Sequence, residues 1–185
     1  MTLSFKRYLA PETYYTDIDL LLPDSVKYDL YNGADLVATL ISSNGKSFAR
    51  FRDGSTYKRH TKIYGNIPYE HLFLNDQDTL FARITVDGSY KGGEAILVFC
   101  GDPDSYVLRR GNIQSRKEPY ELIIEFKAGD QTVFTFKNTQ KGKFASYYSN
   151  RPMEGTIEMT DRLHRDKIFG FLLAIQLYYL AQEDD

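Results

Sequence analysis

The run Ile168-Phe169-Gly170-Phe171-Leu172-Leu173-Ala174-Ile175-Gln176-Leu177-Tyr178-Tyr179-Leu180 decides the fold. It is the most apolar stretch of the 185-residue chain, fenced by Arg162, Arg165, Asp166 and Lys167 on one side and by Glu183, Asp184 and Asp185 on the other. Periodicity alone does not assign a short apolar run, but strands usually stop within about 10 residues. Leu, Ala and Gln stand here in place of Val and Thr. The segment is therefore expected to be a helix over about residues 166–181, with Asp161 or Asp166 as a side-chain cap for its first amides. A helix apolar around its whole circumference is either a membrane span or the centre of a core. A span takes ~20 apolar residues, so no transmembrane segment is expected and the helix should be surrounded by the chain's own strands. Gly170 inside it costs ~1 kcal/mol relative to alanine, tolerable where another backbone passes close by, as encircling strands would supply.

Everything before the helix reads as β-structure. Leu3 to Leu9 alternates and ends at Pro11, and Tyr14 to Leu22 is a second expected strand. Val26 to Tyr31 leads through Asn32-Gly33 into Leu36 to Ile41, and Asn-Gly is the strongest short hairpin signal because both residues accept positive φ. Ser47 to Phe51 turns through Asp53-Gly54 toward Tyr57 to Tyr64. Tyr69 to Leu74 reads as strand or a short helical turn, followed by Thr79 to Val86 and Gly93 to Gly101. Tyr106 to Leu108 precedes an irregular charged segment, Arg109 to Pro119. Tyr120 to Phe126, Thr132 to Phe136, Phe144 to Tyr148 and Met153 to Met159 follow, with Gly155 read as a bulge. Ten to twelve short strands at this spacing suit an all-β sandwich or barrel. The expected architecture is mainly β: one domain over 1–185, a closed antiparallel β-barrel of about twelve strands around a central hydrophobic C-terminal helix.

Composition agrees and narrows function. Fifteen Tyr and 12 Phe with no Trp suit pleated surfaces that face core on one side and water on the other. A net charge of -2 gives no global attraction for nucleic acid or for acidic membranes, so any such binding must use a local basic patch. Cys100 is the sole cysteine, so no internal disulfide is possible and a reducing compartment is expected. Its apolar surroundings point to buried packing. The N-terminus lacks the apolar centre of an export signal. The reading is a cytoplasmic monomer, peripheral to a membrane at most.

The segments 28–40, Tyr-Asp-Leu-Tyr-Asn-Gly-Ala-Asp-Leu-Val-Ala-Thr-Leu, and 166–175, Asp-Lys-Ile-Phe-Gly-Phe-Leu-Leu-Ala-Ile, carry a resemblance. The first resembles the strand, turn, strand unit of the tubby C-terminal-like superfamily, which includes the LURP-one-related proteins and the phospholipid scramblases. The second is similar to that superfamily's buried final helix. The resemblance implies a twelve-stranded barrel threaded by the helix. It also implies a link to membranes, since the tubby branch binds phosphoinositide headgroups through basic residues. The likeness lies in hydrophobic pattern, and no lipid-site residue of that branch is matched by position.

Candidate chemistry lies in local charge. Arg50 and Arg52, with Lys58, Arg59 and Lys62 on the next strand, form the densest basic cluster. Same-face positions repeat every two residues, so Lys58, His60 and Lys62 share one face of that strand. Such a patch suits a phosphate, or else simply solvates a strand edge. Arg109, Arg110, Arg116 and Lys117 form a second cluster, with Glu118 and Glu121 near enough to neutralise it. Lys137, Lys141 and Lys143 suggest a soluble hairpin tip. His60, His71, His164 and Cys100 have no metal-ligand spacing. No P-loop, dinucleotide or nucleophile-elbow pattern is present. No cofactor is expected. The leading expectation is a non-enzymatic binding module for anionic phospholipid headgroups. The alternative is a protein-binding module, regulatory or toxin-neutralising, that uses an exposed strand edge or an aromatic patch.

Overall fold

The structure is a computed structural model that describes residues 1–10, 13–15, 20–22, 25–43, 46–62, 69–87, 93–117, 120–139, 153–160 and 167–183. Its strands are β1 (Thr2–Ala10), β2 (Thr13–Tyr15), β3 (Leu20–Leu22), β4 (Ser25–Asn32), β5 (Asp35–Ser43), β6 (Lys46–Phe51), β7 (Thr56–Lys62) and β8 (Tyr69–Asn75). There follow β9 (Leu80–Asp87), β10 (Glu94–Phe99), β11 (Ser105–Arg109), β12 (Ile113–Lys117), β13 (Tyr120–Ala128), β14 (Gln131–Thr139) and β15 (Met153–Met159), then helix α1 (Ile168–Glu183). The sheet runs β11-β10-β9-β8-β7-β6-β5-β4-β1-β15-β14-β13, and a β11–β13 pairing at Val107 and Lys127 closes it into an antiparallel barrel of twelve strands. β12 continues below β11 along the same edge of β13, after a 3-10 turn at Arg110–Asn112. The two together occupy one bent position of the ring.

Turn chemistry sets the register where the sequence said it would. Gly33, Gly54 and Gly129 adopt φ of 62°, 90° and 57° in the β4–β5, β6–β7 and β13–β14 turns. These turns, with those after β8 and β10, lie at one end of the barrel, here called the turn end. Inward positions alternate, as the burial of Ala95, Leu97 and Phe99 on β10 shows. The same alternation sets Cys100 outward past the strand's last residue. It is exposed, contrary to the expectation of burial.

Three other expectations need correction. The strand expected over 14–22 is two, β2 and β3, paired antiparallel, and the segment after Arg109 is ordered as the 3-10 turn and β12. The latter carries one apolar residue, Ile113, so alternation gave no signal. Gly155 is no bulge, since the β1–β15 register runs through it unbroken and the β14–β15 register reaches it without a shift. It is a gap: the Phe5 ring crosses above it to stack on Phe136, centroids 4.6 Å apart. The expected strand at 144–148 and the caps Asp161 and Asp166 lie outside the described residues.

Helix α1 fills the barrel. Ile168, Phe169, Phe171, Leu172, Leu173, Ala174, Ile175, Leu177 and Tyr178 are all buried, as a helix without a polar face demands. Each fully buried Leu, Ile or Phe contributes about 1.5–3 kcal/mol. Phe171 stacks on Phe134 at 4.4 Å and meets Phe126, Phe99 and Tyr106 edge-on or tilted. Phe169 reaches Tyr57 and Phe73 on the other wall. The helix starts at the turn end, where Lys167 pairs with Asp102 at 2.5 Å, and runs toward the far end, where Tyr178 feels the charge of Arg110.

The two buried glycines separate close packing from propensity. A Cβ on Gly170 would stand 2.8 Å from the Phe99 ring and 3.2 Å from Leu97, so Gly170→Ala gains ~1 kcal/mol of helix propensity and is opposed by ~1–3 kcal/mol of overpacking. A Cβ on Gly155 meets the Lys137 carbonyl oxygen, which is backbone held in the ladder. Urea unfolding should show Gly155→Ala as the more damaging by at least about 1 kcal/mol. Equal midpoints would contradict the packing described.

Candidate functional site

The hairpin expected to hold the basic patch divides it between the two faces of the wall. Arg50 lies opposite Thr39 and Thr56, and Lys58 opposite Phe48 and Leu74; both are exposed on the outside of the barrel as diagonal neighbours. The Arg50 guanidinium stands 5.7 Å from the Phe48 ring centroid, a cation–π distance. Phe48 and its partner Ile41 point outward yet are buried, so the two cations stand beside a packed apolar surface rather than on a loose strand. Arg52 follows β6 in the turn and meets Asp35 at 3.6 Å, with both side chains largely exposed. Exposed pairs of this kind contribute little. The Lys62 backbone pairs with Glu70; its side chain lies outside the described set.

Arg59 is the correction. Two residues along from core-facing Tyr57, it points into the barrel and is 8% exposed. Burial pushes its guanidinium down to about 10, low for arginine and still charged at neutral pH. The sequence placed it with its neighbours because it sits in a run of charge. The alternation that gives Lys58, His60 and Lys62 one shared face puts Arg59 on the other, with Tyr57.

Arg59 is one of several polar groups on the inner wall toward the far end. Arg7 on β1, Ser42 on β5, Ser47 on β6, His71 on β8 and Asn138 on β14 are also buried. Each follows its strand's apolar inward residues by the same period of two: Phe5 then Arg7, Leu40 then Ser42, Phe136 then Asn138. Arg7 donates to the Met153 sulfur at 3.2 Å and lies 5.8 Å from the Tyr28 ring. Ser42 and Ser47 share a hydrogen bond of 2.7 Å. Asn138 is fully buried, and among the described residues neither its Oδ1 nor its Nδ2 has a hydrogen-bond partner. Burial, then the Arg59 charge, pushes His71 down to about 4, so its ring is neutral at physiological pH.

Two members of the other charged clusters form ion pairs. Arg109 meets Glu94 at 2.8 Å and Lys137 meets Glu121 at 3.1 Å; Arg116 stands opposite Glu121 in the β12–β13 register. Lys141, Lys143 and His164 lie outside the described residues. At the turn end Asp102 accepts from Lys167 and from the Tyr106 hydroxyl at 2.6 Å, and from the Asp104 amide at 3.1 Å. Burial alone would raise this carboxyl, but those partners outweigh it and hold it below the usual range. The node pins the start of α1 to the β10–β11 turn, beside a depression of about 250 Å³ that Cys100 and Val133 also line. No group of three His, Cys, Asp or Glu among the described residues is placed to hold a metal ion. No helix of the described residues is long and apolar enough to cross a membrane.

Comparison of the chain with protein-family models, with curated proteins and with solved structures gives no match.

The buried histidine gives acid sensitivity a definite sign. Its folded pKa lies below the ~6.5 of an exposed imidazole, so the unfolded chain takes up the proton first as pH falls. The contribution is complete above about pH 6.5, declines toward about pH 4 and is then exhausted, a total of about 3 kcal/mol. Unfolding midpoints measured across that window should fall in the wild type and fall less in His71→Phe. An identical pH slope in the two proteins would place the titrating group elsewhere.

Proposed function

We propose that this chain is a non-enzymatic, tubby-like binding module that acts in the cytoplasm and meets anionic phospholipid headgroups at the membrane surface. The observation that carries the reading is the pair Arg50 and Lys58, exposed side by side on the outer wall of the β6–β7 hairpin. Arginine supplies a planar fork of donors for phosphate oxygens and lysine a compact point charge. Phe48 and Ile41 beneath them stiffen the hairpin. Arg52 at the nearby turn adds a third charge when a phosphate competes with Asp35 for it. The barrel filled by its C-terminal helix is the architecture the family resemblance implied, and it leaves the outer wall and the barrel ends for recognition. The protein-binding alternative asks for a contiguous apolar surface. The large apolar residues exposed among the described set, Met1, Leu36 and Val98, lie on separate elements.

Each basic residue near a strongly anionic surface contributes about 1 kcal/mol, roughly fivefold in affinity. The protein should therefore sediment with phosphoinositide-containing vesicles and not with neutral ones, more weakly as salt rises. Arg50→Ala with Lys58→Ala should weaken sedimentation by roughly 25-fold. Binding to neutral vesicles equally well, or binding indifferent to the double substitution, overturns the assignment.

A further inference from the structure

We infer that β12 is a docking edge for an extended acidic segment of a partner protein, which adds to the barrel wall as one more strand. Each ring strand pairs on both sides, whereas β12 pairs only with β13, and among the described residues no strand lies along its other edge. The bend at Arg110–Asn112 is the cause. β11 meets β13 at Lys127, and β12 then takes the same edge of β13 from Ile124 to Tyr120, past the level at which β10 begins with Glu94 opposite Arg109. Alternation shows which backbone groups are open. The Ile113 N–H donates to the Arg110 carbonyl and so is not directed at β13. Antiparallel residues alternate between bonding a given neighbour and facing away from it, so Ser115, two residues on, turns its N–H and C=O to the open side, while Gln114 and Arg116 hold the ladder to β13. Strand addition draws its affinity from such main-chain groups and asks for no apolar patch.

Charge selects the occupant. Arg110, just before β12, and Arg116, within it, are both exposed, and among the described residues neither has an ion pair. Glu121, across from Arg116, is engaged by Lys137 at 3.1 Å. Ile113 and Ser115 stand opposite Ile124 and Leu122, which face the core, so Gln114 and Arg116 face outward. Ile113 packs partly buried against the core, whereas Ser115 on the same face is exposed and leaves room beside it. A matching segment therefore alternates: acidic where its side chain flanks Arg116 outside, apolar where it flanks Ile113 inside. Charged edges deter indiscriminate pairing, and the arginines that repel a basic strand admit an acidic one. A second copy of this chain, paired edge to edge, would bring two sets of arginines together. The edge shares no residue with the Arg50 and Lys58 surface, and neither depends on the other.

The test uses the full chain and two fluorescein-labelled probes, short peptides that alternate glutamate with valine or lysine with valine. Fluorescence anisotropy should show the glutamate peptide bound and the lysine peptide free, and hydrogen exchange at the Ser115 amide should slow when the glutamate peptide is present. Ser115→Pro removes a donor that the ladder to β13 does not use; the fold should survive and the glutamate peptide should bind at least about fivefold more weakly. Arg116→Glu should weaken the glutamate peptide severalfold and favour the lysine peptide. If Ser115→Pro does not fold, the Arg116→Glu reversal and the exchange of the wild type still decide. Absence of binding by the glutamate peptide, equal binding of the two peptides by the wild type, or binding that leaves Ser115 exchange unchanged overturns the inference. Ser115→Pro should leave vesicle sedimentation as it was, and Arg50→Ala with Lys58→Ala should leave the peptide titration as it was, which separates the two surfaces.

Discussion

The structure depends on burial of a helix that has no polar face. Such a helix is insoluble as a surface element, and its sixteen residues acquire stability only from apolar contact on every side. A single sheet covers one face; a ring of strands covers all of them. Closure through β11 and β13 is thus a requirement of the helix as much as of the sheet, whose edges it removes. The same demand explains the aromatic richness. Rings from β10, β11, β13 and β14 converge on Phe171, and each ring spans more of the gap between wall and helix than an aliphatic side chain does.

Filling the barrel has a consequence for recognition. A barrel that encloses an open cavity binds its ligand in the middle, and here the middle is occupied by α1. Polar chemistry is displaced to the outer wall and to the ends, and the described residues show all three cases. The turn end carries Asp102, Lys167 and Tyr106, mutually satisfied and devoted to holding the helix start. The outer wall carries the exposed Arg50 and Lys58. The far end carries the inward arginines Arg7 and Arg59, both buried in the wall.

Much of this was legible in the residues themselves. Helix, ring and strand number followed from the apolar run at 168–180 and from hairpins marked by Asn32-Gly33 and Gly129-Asp130, because turn residues with positive φ and all-round hydrophobicity are local signals. β12 was illegible because an edge strand with one apolar residue has no period to read. The role of Gly155 was illegible because it depends on Phe5 and Phe136, which come from other strands and meet only when the sheet has closed.

The site was read by proximity in sequence, and proximity misleads on a strand. Lys58 and Arg59 are neighbours in the chain and stand on opposite sides of a wall one residue thick, because successive side chains alternate. One then sees solvent and an aromatic surface, and the other sees a core with little water and a histidine it helps to keep neutral. A basic run on a barrel strand is therefore two half-runs with different chemistry. The half that faces inward is the more informative: an exposed lysine costs nothing to keep, whereas an inward arginine carries a desolvation penalty that the surrounding structure must offset.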